Sequence, residues 1–202
     1  MSLQFHIASS AGPAVAAFQL AMPSATMARA QSFRADRTSD GAYEVSTIHD
    51  RLSDSTRASF ALKGSSRPFG LGSRIWLAVS FTHPGPRLTD SPEAVVLTLA
   101  SFTPASGGWA FARPQRLRIQ SGGTLKLELA AAEYQKLRVG LFDAGRREML
   151  SFRIPTEQFV AMAAEPELEL KAGRAKMRLR QREMGMLREV VRRVTPARGG
   201  MR

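Results

Sequence analysis

Five basic side chains recur at every second position near the C-terminus: Arg174, Lys176, Arg178, Arg180 and Arg182. On an extended strand, alternate side chains leave one face about 6.6 Å apart. Such a row suits a phosphate backbone, an anionic lipid surface or an acidic protein, each of which presents repeated negative charge. Arg188 and Arg192, in the segment that follows, extend it. These seven residues are the candidate anion-contact surface. Arg outnumbers Lys by 24 to 5, an excess that a G- and C-rich genome and a solvated surface explain equally.

Other chemistry is thinly represented. His49 is followed by Asp50 and Asp54. A histidine beside carboxylates can serve as a general base or a metal ligand. A metal site needs three or four converging ligands, and the other histidines, His6 and His83, stand in unrelated surroundings. His49, Asp50 and Asp54 read as solvated loop residues. Cys is absent, which excludes a thiol nucleophile, a disulfide framework and cysteine-ligated zinc or iron–sulfur centres. Gly70-Leu71-Gly72 lacks the third Gly and the Lys of a phosphate-binding loop. No serine sits in a nucleophile elbow. Glu128, Glu148, Glu167 and Glu169 read as outward strand positions. Trp76 and Trp109 offer flat stacking surfaces, but both read as core residues, with Trp109 and Phe111 opening a strand. The sequence assigns no catalytic, cofactor or metal-binding residue.

The elements that must position the basic row are strands. Residues 43–48, 58–62, 74–81 and 95–99 carry apolar side chains at or near a period of two. Gly and Pro clusters at 64–70 and 83–86 separate them. Leu117 and Ile119, then Leu125, Leu127 and Leu129, alternate with charged residues on either side of Ser121-Gly122-Gly123. That is a hairpin with one face inward. Leu137, Val139 and Leu141 follow, then a turn at 143–145, then Leu150, Phe152 and Ile154. Pro155 opens a helix near 156–164 that buries Phe159, Met162 and Ala163. Leu168 and Leu170 pair across Ala172-Gly173 with Met177 and Leu179. A terminal amphipathic helix near 182–194 carries a stripe of Met184, Leu187, Val190, Val191 and Val194. The fold expected is mainly β: a β-sandwich or a partly open barrel with these two helical additions.

The 202 residues, 44% hydrophobic and 23% charged, suffice for one globular core. Formal net charge is +12. Residues 173–202 hold ten Arg or Lys and two Glu, a net of +8, so the basic excess is concentrated there. Residues 1–30 contain a single charged side chain, Arg29. Residues 11–22 are apolar apart from Gln19, and Ala28-Arg29-Ala30 has the small-x-small form of a signal-peptidase site. Cleavage would send a chain beginning at Gln31 to the periplasm or beyond. No Lys or Arg precedes the apolar run, and Pro13 interrupts it; the alternative is a disordered arm on a cytoplasmic protein. The expected organisation is therefore a leader or arm (1–30), a loose segment (31–42), one β-rich domain (43–194) and a basic disordered tail (195–202).

Residues 94–194 resemble uncharacterised bacterial exported β-rich domains. The matching features are Trp109-Ala110-Phe111, residues 152–159, Met162-Ala163 and residues 168–173, followed by a strand and a terminal helix. The resemblance implies a fold and export but no activity. The expected function is a non-enzymatic exported domain with a structural or protein-interaction role. The alternative is non-specific binding of nucleic acid or another anionic surface through the Arg-rich C-terminal region. No cofactor and no transmembrane segment are expected.

Overall fold

The computed structural model describes residues 33–37, 43–62, 67–68, 74–104, 106–111, 116–139 and 145–195. The chain divides after Ala30, and the unit Gln31–Arg202 carries every element described below. The expected leader, most of the tail, the 64–66 loop, the 143–144 turn and Leu141 lie outside the described residues.

Among the described residues, twelve strands form two antiparallel sheets, accompanied by two helices. The large sheet contains β1 (Phe33–Arg37), β2 (Tyr43–Asp50), β3 (Ser55–Leu62), β5 (Arg74–Pro84), β6 (Ala94–Pro104), β10 (Gly145–Pro155) and β9 (Glu133–Val139) in that spatial order, with the short β4 (Arg67–Pro68) on β5. The small sheet runs β12 (Ala175–Leu179), β11 (Leu168–Ala172), β7 (Arg116–Ser121), β8 (Thr124–Ala130). Strands β1 and β9 end the large sheet without pairing to each other, so it does not close into a barrel. The fold is mainly β, a sandwich with helical additions.

Alternation buries one face of each sheet. Ile75, Leu77, Val79 and Phe81 of β5 point inward with Val95, Leu97 and Leu99 of β6 and Leu150, Phe152 and Ile154 of β10. Leu117, Ile119, Leu168, Leu170, Met177 and Leu179 do the same from the small sheet, and all belong to one continuous core. Each such large side chain contributes about 1.5–3 kcal/mol through removal from water. Two hairpin turns are set by glycine. Gly122 and Gly123 both take positive φ (55° and 81°) between the paired Ser121 and Thr124, as a two-residue type I′ turn requires. Gly173 (φ 57°) turns β11 into β12.

Helix α1 (Thr156–Ala164) buries Phe159, Met162 and Ala163, as its spacing predicts. Helix α2 (Gln181–Val194) packs against α1, β3, β5 and β12. It buries Met184, Leu187, Val190 and Val194, and also Met186, which the expected stripe omits. A helix wedged among four elements hides more than one stripe. Its N-terminus makes half of a capping box: the Glu183 carboxylate accepts the Arg180 N–H at 3.0 Å. Arginine carries no acceptor to complete the other half. Among the described residues, no helix is long and apolar enough to cross a membrane.

Three expectations fail locally. Phe33–Arg37, inside the stretch expected to be loose, is a strand registered on β2 from Phe33↔Ile48 to Arg37↔Glu44. Trp109 lies in an irregular segment and Phe111 in the turn that follows it, rather than in a strand. Leu125 and Leu137, expected to face inward, are 50% and 57% exposed: Leu125 pairs with Gln120 at the bulge, and Leu137 pairs with the exposed Arg147, on the face away from the buried Leu150.

Candidate anion-contact surface

The small sheet has one apolar and one charged face. Opposite the buried Leu117, Ile119, Leu168, Leu170, Met177 and Leu179 stand Arg116, Arg118, Glu128, Glu169, Lys171, Lys176 and Arg178. The registers Lys171↔Lys176 and Lys171↔Arg118 set three cations side by side across three strands. Neighbouring strands lie about 4.8 Å apart, so the three span about 10 Å. Like charges directly opposite each other on paired strands destabilise a sheet. Five cations against two carboxylates leave this face at +3.

The carboxylates partly offset that repulsion. Glu169 meets Lys176 Nζ at 2.9 Å and Arg178 Nε at 3.5 Å. The Lys176 hydrogen bond, above all, holds the Glu169 carboxyl below its ordinary value. Glu128 bridges Arg116 (3.2 Å) and Arg118 (3.1 Å), and the Arg116 hydrogen bond lowers its pKa likewise. Among the described residues, Lys171 makes no ion pair and stays exposed. Lys126, displaced by the bulge beside Gln120, turns to Glu165 at 2.8 Å.

The seven residues of the basic row are not one row. Only Lys176 and Arg178 lie within β12 and share its outward face. Arg174 sits in the preceding turn, Arg180 at the N-cap of α2, and Arg182 in the first turn of that helix. Arg188 is structural: its guanidinium donates to the Ala163 carbonyl (3.3 Å) and the Glu165 carbonyl (3.1 Å), satisfying the orphan C-terminus of α1. Arg192 pairs with Glu189 at 2.7 Å on the helix surface. The structure replaces these with Lys171, Arg116 and Arg118. Alternation alone places those three outward; the pairing of β11 with β7, fifty residues apart, brings them together.

Two further groupings stand apart from this face. His49 is not in a loop: it lies on β2, its Nδ1 2.9 Å from the Thr56 hydroxyl. That hydroxyl donates to the Gly85 carbonyl at 2.5 Å. His49 Nε2 faces Asp54 at 3.8 Å. Nucleophile-type, base-type and carboxylate side chains are thus in line, but Thr56 is buried and its proton is already committed. The arrangement ties the β2–β3 turn to the loop after β5. Among the described residues, no three His, Asp or Glu are placed to hold a metal ion.

Glu148 is the second. Expected to face outward, it is 1% exposed. Its carboxylate accepts the Ala110 N–H, the Phe111 N–H at 3.3 Å, the Tyr134 hydroxyl at 2.6 Å and the Ser101 hydroxyl at 3.4 Å. Successive N–H groups of a strand point to opposite sides. Two consecutive amides reaching one carboxylate therefore require the turn seen at 110–111. Burial, together with the bond to Glu148, pushes the Tyr134 hydroxyl pKa up.

A comparison with protein-family models, curated proteins and solved structures finds no match to this chain.

Proposed function

We propose that the chain is a non-enzymatic, exported interaction domain that docks an acidic protein partner on the charged face of its small sheet. The observation that carries this reading is the cross-strand row Lys176–Lys171–Arg118. A row of like charges costs sheet stability, and stability is commonly given up where a surface has a binding role. The four strands contain no aromatic residue, so the face offers no base-stacking platform of the kind that single-stranded nucleic acids use. Export rests on the apolar run and small-x-small motif of residues 1–30.

Calorimetric titration with poly-glutamate tests the docking claim. Affinity is expected to fall steeply with added salt and to drop about tenfold in Arg118→Gln/Lys171→Gln/Lys176→Gln, since each lost contact is worth a fraction of a kcal/mol. Unchanged affinity in the triple variant refutes the assignment. Tighter binding of duplex DNA than of poly-glutamate at matched salt favours the nucleic-acid alternative. Mass spectrometry of the purified chain tests export: the mature form is expected to begin at Gln31, and an intact N-terminus in the cytoplasm contradicts it.

A further inference from the structure

Beside the Glu148 turn, on the other sheet, two aromatic rings converge on one cation. Lys136 Nζ lies 5.1 Å from the centre of the Trp109 ring and 5.0 Å from that of Tyr134. Among the described residues it makes no ion pair, although the register sets it opposite Glu148 of β10. Arg146 also lies over Trp109, its guanidinium carbon 5.3 Å from the ring centre. Beneath lies the buried Glu148, bound to the Tyr134 hydroxyl at 2.6 Å. That bond to a carboxylate draws electron density into the phenol ring and makes its face a better cation acceptor. Two ring faces over a buried anionic group have the chemistry of an aromatic cage for ammonium ions.

We infer that Trp109 and Tyr134 form a binding site for a methylated ammonium ion, occupied in the unliganded chain by its own Lys136. Both rings are only partly buried, and the exposed Lys136 rises from the edge strand β9 at the position opposite Glu148 of β10. The side chain is free to swing into solvent. A primary ammonium is strongly hydrated and gains from returning to water. A methylated ammonium is weakly hydrated and loses less on entering the cage, so it displaces the lysine at no change in local charge. The quaternary group can come from a choline-type headgroup or from a trimethylated lysine side chain. The site lies on the large sheet and does not depend on the docking face.

The test is a titration of the full chain with tetramethylammonium chloride, against sodium chloride at equal ionic strength, following the Trp109 indole N–H by NMR. A saturable shift is expected in the native chain. In Lys136→Gln, with the internal competitor removed, binding is expected to tighten roughly tenfold. Trp109→Leu keeps apolar bulk without the ring face and is expected to abolish the response, read at the Tyr134 ring protons. Choline and N-acetyl-trimethyl-lysine amide are then compared in Lys136→Gln, and the tighter one names the source. Binding that is no tighter in Lys136→Gln than in the native chain, or that persists in Trp109→Leu, overturns the inference. Lys136 is exposed on an edge strand, opposite Glu148; a melting curve of Lys136→Gln, expected to match that of the native chain, keeps the result readable.

Discussion

Replacing Glu148 by glutamine removes one acceptor from a buried cluster built around two. Oε2 serves Ala110 and Ser101, while Oε1 serves Tyr134, and both lie 3.3 Å from the Phe111 N–H. Glutamine keeps one oxygen and turns an NH2 group toward the remaining donors. Whichever way the amide is oriented, at least one donor faces another donor. Hydrogen bonds to charged acceptors are worth about 1.5–3 kcal/mol each, and a buried unsatisfied donor carries a cost of its own. Glu148→Gln is therefore expected to destabilise the domain by about 2–4 kcal/mol. For a unit of this size, that lowers the melting temperature by about 5–15 °C. Thermal unfolding by circular dichroism gives the first number. Hydrogen exchange gives a local one, because the Ala110 and Phe111 amides are expected to lose protection before the rest of the core. A change within ~0.5 kcal/mol, with both amides still protected, would refute the view that this carboxylate pins the 106–111 turn to the sheet.

Four other outcomes follow from named contacts. Gly185 lies within α2, and a Cβ added there meets nothing within 4 Å; Gly185→Ala is expected to stabilise by up to about 1 kcal/mol, read from a denaturant midpoint. Lys171→Gln removes the centre of the cation row, so it should raise stability by a few tenths of a kcal/mol while weakening poly-glutamate binding, two opposite signs that paired melting and calorimetry separate. Arg188→Ala leaves two α1 carbonyls without their partner and should cost about 1–2 kcal/mol in urea unfolding. Tyr134 is held above its ordinary value of 10.0, which favours the neutral hydroxyl in the folded state. Its stabilising contribution is complete below that value and is lost as pH rises through the higher folded value, so the stability gap between native chain and Tyr134→Phe should stay constant up to about pH 9 and narrow progressively above about pH 10.

Much of the architecture is legible in the sequence because burial of one face imposes a period of two. The turn glycines at 122, 123 and 173 are legible for a separate reason, since their positive φ excludes most other residues. Glu148 was legible too, and its charge obscured it. It shares parity with Leu150, Phe152 and Ile154, so the same alternation that places those three inward places it inward. The basic surface was only half legible. Alternation sends Lys171, Arg116 and Arg118 outward, but which strands become neighbours is a tertiary fact. The period of two running through 174–182 also breaks at α2, where hydrogen bonding within the helix redirects Arg182. Arg188 reads as a free helix cation until the end of α1 is found beside it.

The placement of α2 governs when this domain can finish forming. The helix lies against β3 and β5, and Arg193 covers the Phe60 ring at 5.6 Å. Every described strand precedes it in the chain. During translation, the part of the large sheet formed by β3 and β5 therefore lacks its helical cover until these fourteen residues have left the ribosome, and apolar surface exposed in that interval is of the kind that chaperones bind.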